Sequence, residues 1–157
     1  MTREGTTLVI VDMQPGLPAS NEEWLKGAVY QEIMTARSED WGIVILEYMH
    51  HSPPRFMGET YQYLVSAAAG NCDVFAMRAK ATLDGSERVA DAVAEKNMPT
   101  RRFRVCGVNV HGCIQETVLG LAARYPDSLI EVVGHACNDG NGINWNRFKL
   151  PENAQVV

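Results

Sequence analysis

The chain has 157 residues, of which 46% are hydrophobic and 21% are charged, and its formal net charge is −5. This composition is typical of a soluble globular protein, and the length suits one domain over residues 1–157 that buries its own core. The acidic balance argues against nucleic-acid binding, no apolar run reaches the roughly 20 residues of a membrane helix, and no secretory leader is visible, so we expect a cytoplasmic protein.

The first half of the chain alternates short apolar runs with longer amphipathic stretches. The run 7–11 is β-branched and too apolar to have a solvent-facing side, which is typical of a central strand in a parallel sheet. Pro15, Gly16 and Pro18 place a loop after it. The next predicted elements are a helix over 21–39 capped by Ser20 or Asn21, a strand over 42–48, an irregular loop over 50–58, a helix over 59–69 and a strand over 72–77.

The second half repeats this rhythm. Its predicted elements are a helix over 86–96 capped by Ser86, a strand over 103–108, a helix over 113–124, a strand over 129–133, and a polar tail with a short strand over 154–157. Strands that alternate with helices in this way are joined by right-handed crossovers. The sequence therefore predicts an α/β protein, a three-layer α/β/α fold with a mainly parallel, Rossmann-like central sheet.

Three chemically distinctive residues follow predicted strands. Asp12 follows the first strand, Lys80 the third, and Cys113 the fourth. Sheets of this kind bind ligands beyond the carboxyl ends of their strands, so we expect these residues to meet at one edge. Arg78 lies two residues before Lys80 and is an alternative cation.

Cys113 stands at the start of a helix, where unpaired backbone N–H groups and the helix dipole favour a thiolate. One interpretation is a nucleophile, and the other is a small apolar residue that packs the helix start. A free thiol has a pKa of about 8.5, so activation requires a base and a nearby cation. Asp12 suits the base and Lys80 the cation, although an Asp after a strand often caps a turn and a lone Lys is usually solvated.

Three motifs in one order carry a resemblance to a known superfamily. They are LVIVDMQ over 8–14, Lys80, and GVNVHGCI over 107–114. Together they resemble the isochorismatase-like cysteine hydrolases, which include nicotinamidases and N-carbamoylsarcosine amidases. The resemblance implies a catalytic triad of Asp12, Lys80 and Cys113, an oxyanion hole from the backbone N–H groups of Asn109 and Cys113, and a non-proline cis peptide at Val108–Asn109.

Departures from the superfamily pattern concern the substrate and cofactors. Nicotinamidases carry an Asp-x-His metal site after the second strand, where this chain has Tyr48-Met49-His50-His51, so we expect neither a metal nor another cofactor. His111 replaces the usual acid before the nucleophile, where an imidazolium would lower the pKa of the thiol. The side chains expected to contact the substrate are Leu17, Tyr48, His50 and His111.

Relatives in the superfamily continue with a helix and a strand beyond the position of Asp139, whereas residues 139–157 read as an irregular tail. We therefore expect a C-terminally shortened fold whose bare sheet face is covered in a homo-oligomer, a dimer or a tetramer. Trp145, Phe148 and Leu150 are candidates for those contacts or, equally, for packing inside the monomer.

With Cys113 present, the resemblance implies hydrolysis of a C–N bond, amide or ureido, in a small molecule rather than a peptide, through an acyl-thioenzyme. One alternative is a catalytically inactive relative that binds a small molecule or a protein. Another is an unrelated nucleotide-binding domain, although the sequence has neither a GxGxxG motif nor a P-loop.

Overall fold

A computed structural model describes the backbone of residues 3–51 and 54–157, and their side chains except at positions 50, 51, 54–56, 71 and 72. The strands are β1 (Thr6–Val11), β2 (Gly42–His51), β3 (Pro54–Phe56), β4 (Phe75–Lys80), β5 (Arg102–Val108), β6 (Leu129–Asn138) and β7 (Ala154–Val156). The α-helices are α1 (Glu23–Ser38), α2 (Gln62–Ala68), α3 (Ser86–Lys96) and α4 (Gln115–Arg124).

The predicted parallel sheet is confirmed. Six parallel strands lie in the order β4-β2-β1-β5-β6-β7, and β3 pairs antiparallel with the end of β2. The chain builds outward from β1 through β2 to β4, and then returns to the other side of β1 with β5. The carboxyl ends of β1 and β5 therefore flank the topological switch point, which is where such sheets bind ligands.

Helices cover both faces of the sheet. Phe103 on β5 packs on Tyr125 at the end of α4, with ring centroids 4.8 Å apart, whereas the next residue, Arg104, pairs with Glu32 of α1 at 2.9 Å. Adjacent residues of a strand face opposite sides of the sheet, so α1 and α4 lie on opposite faces. Helix α2 packs on α1 and α3 packs on α4, which confirms the three-layer architecture.

Several predicted boundaries were wrong. Helix α1 begins at Glu23, after a 3-10 turn (Pro18–Asn21), and Ser20 donates its hydroxyl to the backbone of Gln14 instead of capping the helix. The predicted loop over 50–58 is partly a hairpin of β2 and β3, because β2 continues to His51.

The ends of the later strands are set by pairing. Strand β4 runs from Phe75, opposite Ile43, to Lys80, opposite Tyr48, so it begins three residues later than predicted. A 3-10 helix occupies residues 69–74. Ser86 is the first residue of α3 and not its cap, since its N–H donates to the Asp84 carboxylate at 2.8 Å.

After β6, which continues to Asn138, the chain forms a 3-10 turn (Trp145–Arg147) and then the predicted strand β7. Phe148 is 6% exposed and belongs to the core, with the Trp145 ring packed on it, whereas Leu150 is exposed. Oligomer contacts and packing inside the monomer were both considered for these residues, and Phe148 packs inside the monomer. No helix in the described part of the chain has the length and apolar character needed to cross a membrane.

The close approach of β1 and β5 gives a test of the fold. Gly107 has φ +119°, and a Cβ at this position would fall on the carbonyl of Val11. We expect Gly107→Ala to lower the free energy of unfolding by more than about 2 kcal/mol, because the conformation alone costs an L-residue about 1–2 kcal/mol and the clash adds to it.

Urea unfolding checks this, with Gly27→Ala as the matched control. Gly27 is exposed in α1 and has no atom within 4 Å of an added Cβ, so alanine there should raise the free energy of unfolding by about 0.5–1 kcal/mol. A Gly107→Ala protein as stable as wild type would contradict the described packing of β5 on β1.

Candidate active site

Three side chains from separate elements are in contact at the carboxyl edge of the sheet. Asp12 directly follows β1, Lys80 is the last residue of β4, and Cys113 lies in a wide helical turn (Val110–Ile114) that follows β5. The Lys80 Nζ lies 3.2 Å from Asp12 Oδ2 and 3.2 Å from Cys113 Sγ. The convergence expected from the strand ends is therefore present at the switch point.

The Lys80 ammonium is enclosed. The residue is 3% exposed, and Nζ also donates to the carbonyl of Thr82 at 3.2 Å. An ammonium carries three N–H donors, and Asp12, Cys113 and Thr82 accept all three. The ring of Tyr48 lies 4.6 Å from Nζ, and Gly85 packs so closely that an added Cβ would lie 2.9 Å from Lys80 Cδ.

Asp12 is 1% exposed, and its Oδ1 has no hydrogen-bond partner among the described residues. Burial raises the pKa of the Asp12 carboxyl above its ordinary value, while the Lys80 ammonium and the hydrogen bond with Cys113 act in the opposite direction. Leaving a buried acceptor unpaired costs about 1–3 kcal/mol, and more for a charged group.

Cys113 is 8% exposed, and burial raises the pKa of its thiol to about 12. The neighbouring Asp12 carboxylate raises the pKa of this thiol as well, whereas Lys80 lowers it. Desolvation is the largest of these effects, and it opposes the thiolate that the helix start was expected to favour.

The loop after β6 holds the cysteine turn in place. Asp139 accepts hydrogen bonds from the N–H of His111 at 2.8 Å and of Asn141 at 2.9 Å, and the Asn109 side chain accepts from Gly140 N–H at 2.8 Å. The Val108–Asn109 peptide is cis, as the resemblance implies. The oxyanion hole formed by the Asn109 and Cys113 backbone stays a prediction.

His111 is bound to the same loop. Its Nε2 accepts the Asn144 N–H at 2.9 Å. A cavity of about 620 Å³ lies against the turn, with Asn109, His111 and Arg147 in its wall, and Cys113 is not among the described residues that line it.

The other predicted residues lie in different surroundings. Leu17 is half-buried in the loop after β1. The alternative cation, Arg78, pairs with Glu95 and with the backbone of Met77. The His50 side chain lies outside the described residues.

Tyr48 occupies the position at which nicotinamidases carry the Asp of their metal site. Its side chain is an aromatic ring that faces the Lys80 ammonium, so it does not fit that metal site. Among the side chains that the structure describes, which do not include His50 and His51, no three His, Cys, Asp or Glu residues are grouped to hold a metal ion.

Comparison with known proteins identifies the fold. No protein-family model matches this sequence, and no curated protein matches it. The structure of nicotinamidase/pyrazinamidase from Bacillus subtilis is 13% identical with a TM-score of 0.78, covering 98% of this chain and 100% of that chain. N-carbamoylsarcosine amidase from Thermoplasma acidophilum is 16% identical with a TM-score of 0.76, covering 98% of this chain and 95% of that chain. An isochorismatase family protein is 11% identical with a TM-score of 0.72, covering 97% of each chain. The chain has the isochorismatase-like fold.

Within this isochorismatase-like fold, sequence reasoning missed the role of Gln14. This fully buried side chain accepts the Tyr48 N–H at 2.7 Å and donates to the carbonyls of Tyr48 at 3.2 Å and Gly58 at 2.8 Å. The available signal was an uncharged amide three residues after a buried strand, because a buried amide requires several hydrogen-bond partners. Thr117 was also missed; it accepts the Gly85 N–H at 3.0 Å and so fixes the loop against which Lys80 packs.

The Gln14 contacts give a second test. We expect Gln14→Ala to lower the free energy of unfolding by about 1–3 kcal/mol, because the Tyr48 N–H is left without its acceptor. Urea unfolding measures the change, with Gln62→Ala as the control. Gln62 is exposed at the start of α2, so its replacement should change stability by about 0.5 kcal/mol or less. Equal, small effects of both substitutions would contradict the described hydrogen bonds of the Gln14 side chain with Tyr48 and Gly58.

Proposed function

We propose that this protein is an isochorismatase-like cysteine hydrolase that cleaves the C–N bond of a small amide or ureido compound. The observation that carries the proposal is the contact of one buried ammonium, Lys80, with both the Asp12 carboxylate and the Cys113 thiol. A nucleophile and a proton acceptor thus both lie within hydrogen-bonding distance of a fixed positive charge, at the edge of the sheet where such folds bind ligands.

In the first step, Cys113 Sγ attacks the carbonyl carbon and its proton passes to the Asp12 carboxylate. The new S–C bond gives a tetrahedral oxyanion, for which the backbone N–H groups of Asn109 and Cys113 are the candidate donors. One well-placed donor of this kind contributes about 3 kcal/mol to transition-state stability. Lys80 stabilises the sulfur while its charge develops and keeps the carboxylate beside it.

In the second step, the C–N bond breaks and Asp12 returns the proton to the leaving nitrogen, which departs as ammonia or an amine. The thioester on Cys113 is then attacked by water, whose proton passes to Asp12. Collapse of this second oxyanion breaks the C–S bond, releases the carboxylic acid and restores the thiol. Each proton that Asp12 takes up is returned in the following step, so the cycle needs no cofactor.

Two further facts support this proposal. Nicotinamidase and N-carbamoylsarcosine amidase, two proteins whose structures this chain resembles, are amidases by name. The unpaired Asp12 Oδ1 also offers an acceptor for the N–H group that such substrates carry. We further propose that Leu17 and His50 contribute to the substrate pocket.

The first test compares Cys113→Ala, Asp12→Asn and Lys80→Met with wild type in ammonia release from a panel of small carboxamides and ureido compounds. We expect loss of at least about 10³-fold in kcat/KM for Cys113→Ala and about 10²-fold or more for the other two, since nucleophile, base and electrostatic support are removed in turn. Iodoacetamide labelling of Cys113, followed by intact mass, should slow in Lys80→Met. Tight binding of a panel member without turnover in wild type would favour a binding protein instead.

A second test uses pH. Because burial raises the pKa of the Asp12 carboxyl, this group becomes protonated at a higher pH than an ordinary aspartate, whose pKa is about 3.9. Protonated Asp12 cannot accept the thiol proton, so kcat/KM should fall as the pH drops through that raised pKa. The thiol pKa of about 12 places the alkaline limb far from neutrality. An acid limb at the ordinary aspartate value, or one that persists in residual activity of Asp12→Asn, would contradict the assignment.

A further inference from the structure

Strand pairing places Tyr48 beside Lys80. The two residues are register partners on β2 and β4, so their side chains leave the sheet on the same face. The Lys80 Nζ lies 4.6 Å from the centroid of the Tyr48 ring, within the roughly 6 Å over which a ring face attracts a cation. This attraction is strongest where water is excluded, and Lys80 is almost fully buried.

Four of the described elements contact the Lys80 ammonium. Asp12 faces it from the end of β1, Cys113 from the turn after β5, and the Thr82 carbonyl from the loop after β4. These three acceptors take the three N–H bonds, and the methylene stem rests on Gly85. Tyr48 contributes the contact from β2, and this contact is electrostatic and does not compete for an N–H.

Tyr48 is itself held in place. Gln14, two residues after Asp12, binds both the N–H and the carbonyl of Tyr48 through its side-chain amide. The backbone that carries the ring is therefore fixed to the segment that carries the carboxylate. A change in the ring alone should alter the ammonium without moving Asp12.

We propose that Tyr48 is a positioning residue whose ring holds the Lys80 ammonium against Asp12 and Cys113 and keeps water from it. This inference rests on the proposed function, because it assigns Tyr48 an effect on the reactivity of Cys113 through Lys80. The ring face is the required feature. Tyr48→Phe should therefore keep Cys113 close to its wild-type reactivity toward alkylation, and Tyr48→Leu, which removes the ring, should not.

The experiment measures the second-order rate of Cys113 alkylation by iodoacetamide at about pH 7, read by intact mass and peptide mapping, with Cys113→Ala as background. We expect Tyr48→Leu to slow labelling about tenfold, equivalent to about 1.4 kcal/mol. The labelling rate of Tyr48→Phe should stay within about threefold of the wild-type rate. Tyr30→Leu is the matched control, since Tyr30 is a half-buried ring on α1 that packs on Tyr63. It should lose stability in urea without a change in labelling.

A second measurement separates electrostatics from packing and does not require Tyr48→Leu to fold. Phenylalanine, 4-fluorophenylalanine and 3,4,5-trifluorophenylalanine at position 48 keep the ring while its negative face weakens stepwise. The logarithm of the labelling rate should fall along this series. Suppose that Lys80→Met labels slowly, as the proposed function requires. Equal labelling rates across the series, or a Tyr48→Leu rate equal to that of Tyr48→Phe, would then overturn the inference about Tyr48. If Lys80→Met also labels at the wild-type rate, the proposed function fails and the Tyr48 inference fails with it.

Discussion

The site depends on a single buried ammonium. Lys80 links the end of β1 to the turn after β5 by donating to Asp12 and Cys113 across 3.2 Å each. A charge taken out of water is costly unless its donors are satisfied, and here the segments that follow β1, β4 and β5 supply an acceptor for each. The strand order makes this possible, because it brings β1 and β5 together as neighbours and leaves β4 one strand away, across β2.

Burial also changes the pKa of the two groups that contact Lys80. It raises the pKa of both the Asp12 carboxyl and the Cys113 thiol, and the ammonium opposes both changes. Burial therefore favours the neutral form of both groups, and Lys80 favours the charged form of both. In the proposed mechanism Asp12 takes the thiol proton, and both groups already contact Lys80.

Much of this arrangement could be predicted from local patterns. The apolar run of β1 and the rule that ligands lie beyond the strand ends were enough to bring Asp12, Lys80 and Cys113 to one edge. The start of β4 was not predictable, because pairing with β2 sets it and sequence periodicity does not. The role of Gln14 was missed for a similar reason: its main partner, Tyr48, is 34 residues away in sequence and adjacent only in the fold.

The most direct test of the account is to trap the covalent intermediate. Wild-type protein would be mixed with an amide that it hydrolyses, quenched in acid within the first turnover, and weighed intact before peptide mapping. The account predicts a mass increase equal to the acyl group, located on Cys113 and absent from Cys113→Ala. Hydrolysis by Cys113→Ala at the wild-type rate, with no acyl group on either protein, would contradict it.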